Sequence, residues 1–174
     1  LLLKFLNFIN HTAICINSVL PLHVTGITSS GQINYKWSTG ATTPNINVTP
    51  LVNSTYTATI TDPSCGCTNT EEVFVTINPL PTIDAGGDIA LCKGTSTQLT
   101  ATGGDSYIWS TNHTTDQITI FPLTTQTYTV TGTTGTCSKT AVATVTVNAL
   151  PNVAVNSPTI CTGTTASLTA TGAT

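Results

Sequence analysis

The chain has 174 residues, a formal net charge of −3 and only four Lys and Arg residues. This composition argues against a nucleic-acid-binding protein, because neutralising phosphates requires a basic surface. Threonine, valine and isoleucine are abundant and Met is absent, which favours strands over helices, since β-branched side chains suit a pleated, half-buried surface.

The chain opens with a broken apolar segment, LLLKFLNFIN, at residues 1–10. Lys4 and Asn7 interrupt it, and it is too short to span a bilayer. A remnant of a secretory signal peptide is one interpretation, but no charged region precedes the segment. A first β-strand is the favoured interpretation.

A nine-residue motif occurs twice, as YKWSTGATT from Tyr35 and as YIWSTNHTT from Tyr107. Superposing the two tryptophans gives an offset of 109 − 37 = 72, and farther along the offset becomes 137 − 67 = 70. The aligned pairs include Trp37 and Trp109, Pro50 and Pro122, Tyr56 and Tyr128, Cys67 and Cys137, and Leu80 and Leu150. The chain is therefore an array of repeats.

A cysteine-led segment begins three times, at Cys15, Cys92 and Cys161, but only two units are complete. Repeat 1 is expected at 1–80 and repeat 2 at 81–150. Residues 151–174 then hold the first two strands of a third, incomplete unit.

Within each repeat apolar residues alternate with Thr, Asn or Ser, the pattern of strands with one buried face. Each repeat has five such strands after an opening strand, near Ile83 in repeat 2. Short strands with a single Trp on the third predict tandem immunoglobulin-like β-sandwich domains of about 70–80 residues each. The expected core residues are Trp37, Trp109, Tyr56 and Tyr128; the two tyrosines either form tyrosine corners or simply pack in the core.

Six cysteines beside three histidines predict disulfides, and hence an extracellular or cell-surface location. The Cys65-Gly66-Cys67 spacing is too short for a C-x-x-C zinc knuckle. Small domains of this kind need a covalent staple. The alignment predicts disulfides Cys92–Cys137 and Cys15–Cys67, with Cys65 as the alternative partner of Cys15; it offers no partner for Cys161.

The strings DAGGDIALCKGTSTQLTATGGDSYIWST and TYTVTGTTGTCSKTAVATVTVNALP resemble the Ig-like or PKD-like repeats of large surface and secreted proteins of Bacteroidota. The resemblance extends from about Cys15 to the end. It implies an adhesin-type bacterial surface protein and carries no catalytic residues. Repeat 1 departs from the pattern in its opening strand, KFLNFINHTAI, and in the loop TGITSSGQINY, which is five residues longer than its counterpart.

No catalytic residue, metal site or cofactor is expected, and the chain is not predicted to be an enzyme. His11, His23 and His113 fall in different parts of the repeat without a neighbouring nucleophile and acid, so they are expected to face solvent. Asp84 and Asp88 offer two carboxylates to calcium, but a calcium loop needs more oxygen ligands, which favours turn aspartates.

Four N-glycosylation sequons occur, at Asn10, Asn47, Asn53 and Asn112. A chain this rich in Ser and Thr contains about that many by chance, so position matters more than the motif. Asn47 alternates with apolar neighbours and should face solvent. Outward threonines are equally good O-glycan acceptors.

The leading functional hypothesis is an extracellular structural or adhesive rod. The junctions NPLP at 78–81 and NALP at 148–151 have no flexible spacer, so they should be stiff. The alternative is a carbohydrate-binding module of a secreted enzyme, with outward Phe74 and Phe121 as stacking platforms.

The incomplete third unit should expose apolar residues that seek a partner; they include Val153, Val155, Leu168 and Ala170. Either the array continues, or another copy donates its segment Leu1–Ile9 by strand addition; the apolar donor residues would be Leu1, Leu3, Phe5 and Phe8. A head-to-tail contact of this kind does not close on itself, so either route predicts an extended fibre.

Overall fold

The computed structural model describes residues 11–24 and 32–172. All regular elements in this part of the chain are β-strands. The favoured first strand, at residues 1–9, and most of the long loop of repeat 1 lie outside the described residues.

The described part of repeat 1 contains six strands: β1 (His11–Cys15), β2 (Leu20–His23), β3 (Asn34–Trp37), β4 (Asn45–Val48), β5 (Ser54–Asp62) and β6 (Cys67–Asn78). One sheet has the order β1-β6-β5-β3, and β2 and β4 form the other. Strand β1 runs parallel to β6, with His11 opposite Phe74 and Cys15 opposite Asn78. The other pairs are antiparallel.

Repeat 2 has the same plan, in strands β7 (Ile89–Cys92), β8 (Thr97–Thr100), β9 (Ser106–Trp109), β10 (Gln117–Ile120), β11 (Gln126–Thr134) and β12 (Cys137–Asn148). Its larger sheet has the order β7-β12-β11-β9, and β8 and β10 form the smaller. Strand β7 is parallel to β12, and Cys92 lies opposite Asn148. Near Ile83, where an opening strand was expected, Asp84 makes an isolated bridge to Thr102.

Each repeat buries its own apolar cluster, contributed by both of its sheets. In repeat 1 the buried residues are Leu22, Val24, Trp37, Val48, Ala58, Ile60, Val73 and Val75. In repeat 2 they are Ala85, Leu99, Ala101, Trp109, Ile118, Ile120, Tyr128, Val130, Ala143 and Val145. Two sheets packed over one core, with β2–β4 facing β3–β5–β6, form an immunoglobulin-like sandwich, as predicted.

The chain divides into two compact units. The first comprises Leu1–Thr82 together with Thr133–Lys139, and the second comprises Ile83–Gly132 together with Thr140–Thr174. The tip of the β11–β12 hairpin therefore belongs to the first unit, although the sequence repeat assigns it to repeat 2. The domain limits drawn from the repeat stay a prediction.

The segment after Leu150 contains two short antiparallel strands, β13 (Ala154–Val155) and β14 (Ala170–Thr171). Its apolar side chains lie open to solvent: Val153 is 56% exposed, Val155 70% and Leu168 74%. This matches the exposed apolar row expected from an incomplete unit.

Candidate functional site

The disulfides differ from the predicted pairs. Cys15 bonds Cys137, 122 residues later in the sequence, and Cys65 bonds Cys67. Cys92 is free and exposed, and so is Cys161. The predicted bonds Cys92–Cys137 and Cys15–Cys67, and the alternative Cys15–Cys65, are therefore wrong.

Strand direction explains the error. Cys92 lies opposite Asn148, the last residue of β12, whereas Cys137 is the first residue of that strand. Eleven steps along a strand span about 36 Å, far beyond the roughly 7 Å between Cα atoms that a disulfide tolerates. In repeat 1, likewise, Cys15 lies opposite Asn78, the last residue of β6, whereas Cys67 is the first residue of that strand.

The aromatic residues predicted for the core are in place. Trp37 and Trp109 are almost fully buried, and their Nε1 atoms donate to Thr43 O at 2.9 Å and Thr115 O at 3.0 Å. Tyr128 packs in the core of repeat 2, and Tyr56 packs against that of repeat 1.

At Tyr128 the structure favours simple packing over a tyrosine corner. The Tyr128 hydroxyl donates to the Gln126 side chain at 3.1 Å, whereas a tyrosine corner bonds the backbone. A different tyrosine makes a backbone contact: the Tyr107 hydroxyl accepts from Gly104 N at 2.9 Å and donates to Gly104 O at 2.8 Å. This contact closes the turn before β9 and was not predicted from the sequence.

The two aspartates of DAGGD make structural hydrogen bonds. Asp84 Oδ1 accepts from Gly86 N at 2.9 Å, and Asp88 Oδ1 accepts from Thr144 N at 2.7 Å. They hold a turn and its neighbouring strand, as the turn interpretation predicts. Among residues 11–24 and 32–172 no group of three or more His, Cys, Asp or Glu side chains is arranged to hold a metal ion.

The three histidines have different surroundings. His23 is exposed, and the His113 Nδ1 atom lies 2.9 Å from Thr111 Oγ1. His11 stacks on Phe74, with ring centroids 5.6 Å apart and planes inclined by 18°, while its Nε2 atom lies 2.7 Å from Thr76 Oγ1.

The stacked pair borders the most evident candidate for a ligand surface in repeat 1. Phe74 is 41% exposed and lines a shallow depression whose other lining residues are Thr55, Thr70, Glu71 and Glu72. An aromatic face beside carboxylates and hydroxyls offers both stacking and hydrogen bonding. Phe121 of repeat 2 is 72% exposed. The two phenylalanines lie in different repeats, as expected.

Three of the four sequon asparagines lie in the described chain, and Asn10 lies outside it. Asn47 is exposed on β4. Asn112 is exposed and has a φ of 66°. Asn53 has a structural role, because its Oδ1 atom accepts from Ile77 N at 2.8 Å.

The similarities of this chain to known proteins are remote. No protein-family model matches the sequence, and no curated protein matches it. Similar solved structures include three N-terminal domains of the bacteriophage RB49 highly immunogenic outer capsid protein, at 19% identity and a TM-score of 0.41 over 82% of this chain and 63% of that one. The insect immune protein hemolin is similar at 15% identity and a TM-score of 0.42, over 83% of this chain and 46% of that one.

Sidekick-1 immunoglobulin domains 1–4 are similar at 15% identity and a TM-score of 0.36, over 86% of this chain and 52% of that one. The chain thus spans less than two thirds of each of these three structures. The strand order and the two buried cores by themselves define the immunoglobulin-like fold. Across the described residues, no helix has the length and apolarity needed to traverse a bilayer.

Proposed function

We propose that this chain is part of an extracellular structural or adhesive protein in which immunoglobulin-like repeats form a stiff rod. The observation that carries the proposal is the presence of two sandwich cores in one chain, with no flexible spacer at the junction 78–81. The Cys15–Cys137 disulfide adds a covalent connection between the opening strand of repeat 1 and the β11–β12 hairpin, so its removal is expected to make the chain more flexible.

Several features support a bacterial cell-surface location. Two disulfides are typical of oxidising compartments. The quoted repeat strings resemble those of Bacteroidota surface adhesins. Exposed Asn47 and Asn112 are the best-placed acceptors if the rod is glycosylated, whereas the bond from Asn53 Oδ1 to the backbone makes that residue a poorer one.

Small-angle scattering of the whole chain tests the rod. We expect a narrow distribution of shapes for the native protein and a broad one for the double variant Cys15→Ser/Cys137→Ser. The matched control, Cys65→Ser/Cys67→Ser, removes a disulfide within one turn and should scatter like the native chain. A broad distribution for the native protein would contradict the rod.

The rod is proposed to extend into a fibre, either through further repeats or by strand addition. In the second route the apolar donor Leu1–Ile9, which lies outside the described residues, would complete the exposed segment after Leu150 in another copy. Deleting residues 1–9 and following assembly by electron microscopy separates the routes. Unchanged assembly into long particles would exclude the donor strand.

A carbohydrate-binding module is the second candidate, and the stacked His11–Phe74 pair beside Glu71 and Glu72 favours it. A glycan array with the native chain and Phe74→Ala tests it, with Phe121→Ala as a matched loss of an exposed ring. We expect binding to be lost only in Phe74→Ala. An array with no signal for the native chain would exclude this function.

A further inference from the structure

Cys92 has the same backbone setting as Cys15. Each ends the strand that runs parallel to the last strand of its repeat, opposite Asn148 for Cys92 and Asn78 for Cys15. In both cases the following residue donates its N–H to that asparagine carbonyl, at 2.8 Å in repeat 2 and 2.9 Å in repeat 1. The difference is chemical: Cys15 is bonded to Cys137, while Cys92 is a free, exposed thiol.

The disulfide of Cys15 indicates which kind of cysteine could bond to Cys92 at the equivalent position. The partner of Cys15 is Cys137, the first residue of a last strand, and its Sγ atom lies 4.0 Å from Asn78 O. A matching partner for Cys92 is therefore a cysteine that begins the last strand of another repeat. Cys67 begins β6 and aligns with Cys137 at the offset 137 − 67 = 70.

Cys67 is available in a form that reacts without an oxidant. It is bonded to Cys65 across Gly66, and all three residues are exposed where the turn after β5 leads into β6. A thiolate can attack an accessible disulfide and displace one of its sulfurs. A free thiol at Cys92 and an exposed disulfide at Cys67 are thus the two reactants of an exchange.

We propose that Cys92 of one copy forms a disulfide with Cys67 of a second copy, linking the chains head to tail. The Cys92 thiolate attacks Sγ of Cys67, the Cys65–Cys67 bond breaks, and Cys65 leaves as a thiolate that takes up the proton released by Cys92. One disulfide replaces another, so no net oxidation occurs. The second copy keeps its own Cys92, and the linkage propagates as an open chain.

The proposal is independent of the rod, since flexible chains would link in the same way. It is tested with the 174-residue chain, incubated at high concentration without oxygen or reductant. Non-reducing electrophoresis follows covalent ladders, peptide mass spectrometry identifies the bonded cysteines, and a thiol titration counts free thiols. Cys161→Ser is the matched control for Cys92→Ser, because both residues are free and exposed.

We expect ladders from the native chain and Cys161→Ser, and at least about tenfold less product from Cys92→Ser or from native chain whose free thiols are blocked by alkylation. Cross-linked peptides should join Cys92 to Cys67, and the number of free thiols per chain should stay at two, because Cys65 replaces Cys92. Unlinked native chains, a Cys92–Cys92 bond, or a loss of thiols as ladders form would each overturn the proposal.

Discussion

Repeats 1 and 2 are built with the same local hydrogen bonds. In the turn after each tryptophan, a serine hydroxyl accepts from a backbone N–H of the neighbouring strand: Ser38 Oγ from Thr57 N at 3.2 Å, and Ser110 Oγ from Thr129 N at 3.3 Å. Another polar side chain, Asn53 in repeat 1 and Thr125 in repeat 2, accepts from the last strand at 2.8 and 3.0 Å. Equivalent positions need only equivalent acceptors, not the same residue.

The hairpin before the last strand is where the repeats diverge. Cys67 is exposed and bonded to Cys65, two residues away, whereas Cys137 is 1% exposed and bonded to Cys15. The two cysteines align in sequence and begin equivalent strands. Their different partners show that an internal repeat identifies equivalent positions without identifying what each position contacts.

A second difference concerns one side chain of the core. Ile60 of β5 is fully buried, and Gly132 replaces it in β11 at the offset 132 − 60 = 72. A Cβ atom built on Gly132 would overlap the Ile83 side chain, which packs against the core of repeat 2. In repeat 2, Ile83 thus occupies space that a side chain at residue 132 would need.

The largest expected effect separates the two disulfides. Cys15→Ser/Cys137→Ser should lower the free energy of unfolding by about 4–5 kcal/mol, because the bond spans 122 residues and constrains most of the unfolded chain. Cys65→Ser/Cys67→Ser, which opens a loop of one residue, should cost about 1 kcal/mol or less. Urea unfolding followed by circular dichroism measures both. Equal losses would contradict the comparison.

The tryptophans should be equivalent. Trp37→Ala and Trp109→Ala should each destabilise their own repeat by about 3–5 kcal/mol, the usual cost of emptying a core aromatic site. Circular dichroism during urea unfolding measures the loss in the mutated repeat, and the fluorescence of the remaining tryptophan reports the unmutated repeat. Ile108→Ala, on the same strand as Trp109 but 59% exposed, is the control and should change stability by less than about 0.5 kcal/mol. Markedly unequal losses at the two tryptophans would show that the repeats do not share one core design.

The smallest effect tests the exchange of volume between Gly132 and Ile83. Gly132→Ala should cost about 1–3 kcal/mol by overpacking. Adding Ile83→Ala should relieve the overlap. The double variant should therefore lose less unfolding free energy than the two single variants together, by about 0.5–3 kcal/mol. Thermal unfolding of the four proteins completes the cycle. Strict additivity would mean that the two side chains do not compete for the same space.

Much of the fold could be predicted because strand periodicity is local. Alternation places Val73 and Val75 on one face of β6 whatever the rest of the chain does, and both are buried. The same reasoning found the exposed position of Asn47. The hydrogen bonds between the Tyr107 hydroxyl and the Gly104 backbone were not predictable, because a Tyr two residues before a Trp suits a core strand equally well.

The sequence by itself revealed the internal repeat, five alternating strands in each unit, the buried tryptophans and the equivalence of Cys67 with Cys137. Only the tertiary structure decided which cysteines bond. Strands β1 and β7 lie parallel to the last strand of their repeat, so Cys15 and Cys92 lie at its far end, opposite Asn78 and Asn148. The periodicity of a strand does not predict the direction of the strand that pairs with it. The side chains alternate in the same way whether the neighbouring strand is parallel or antiparallel.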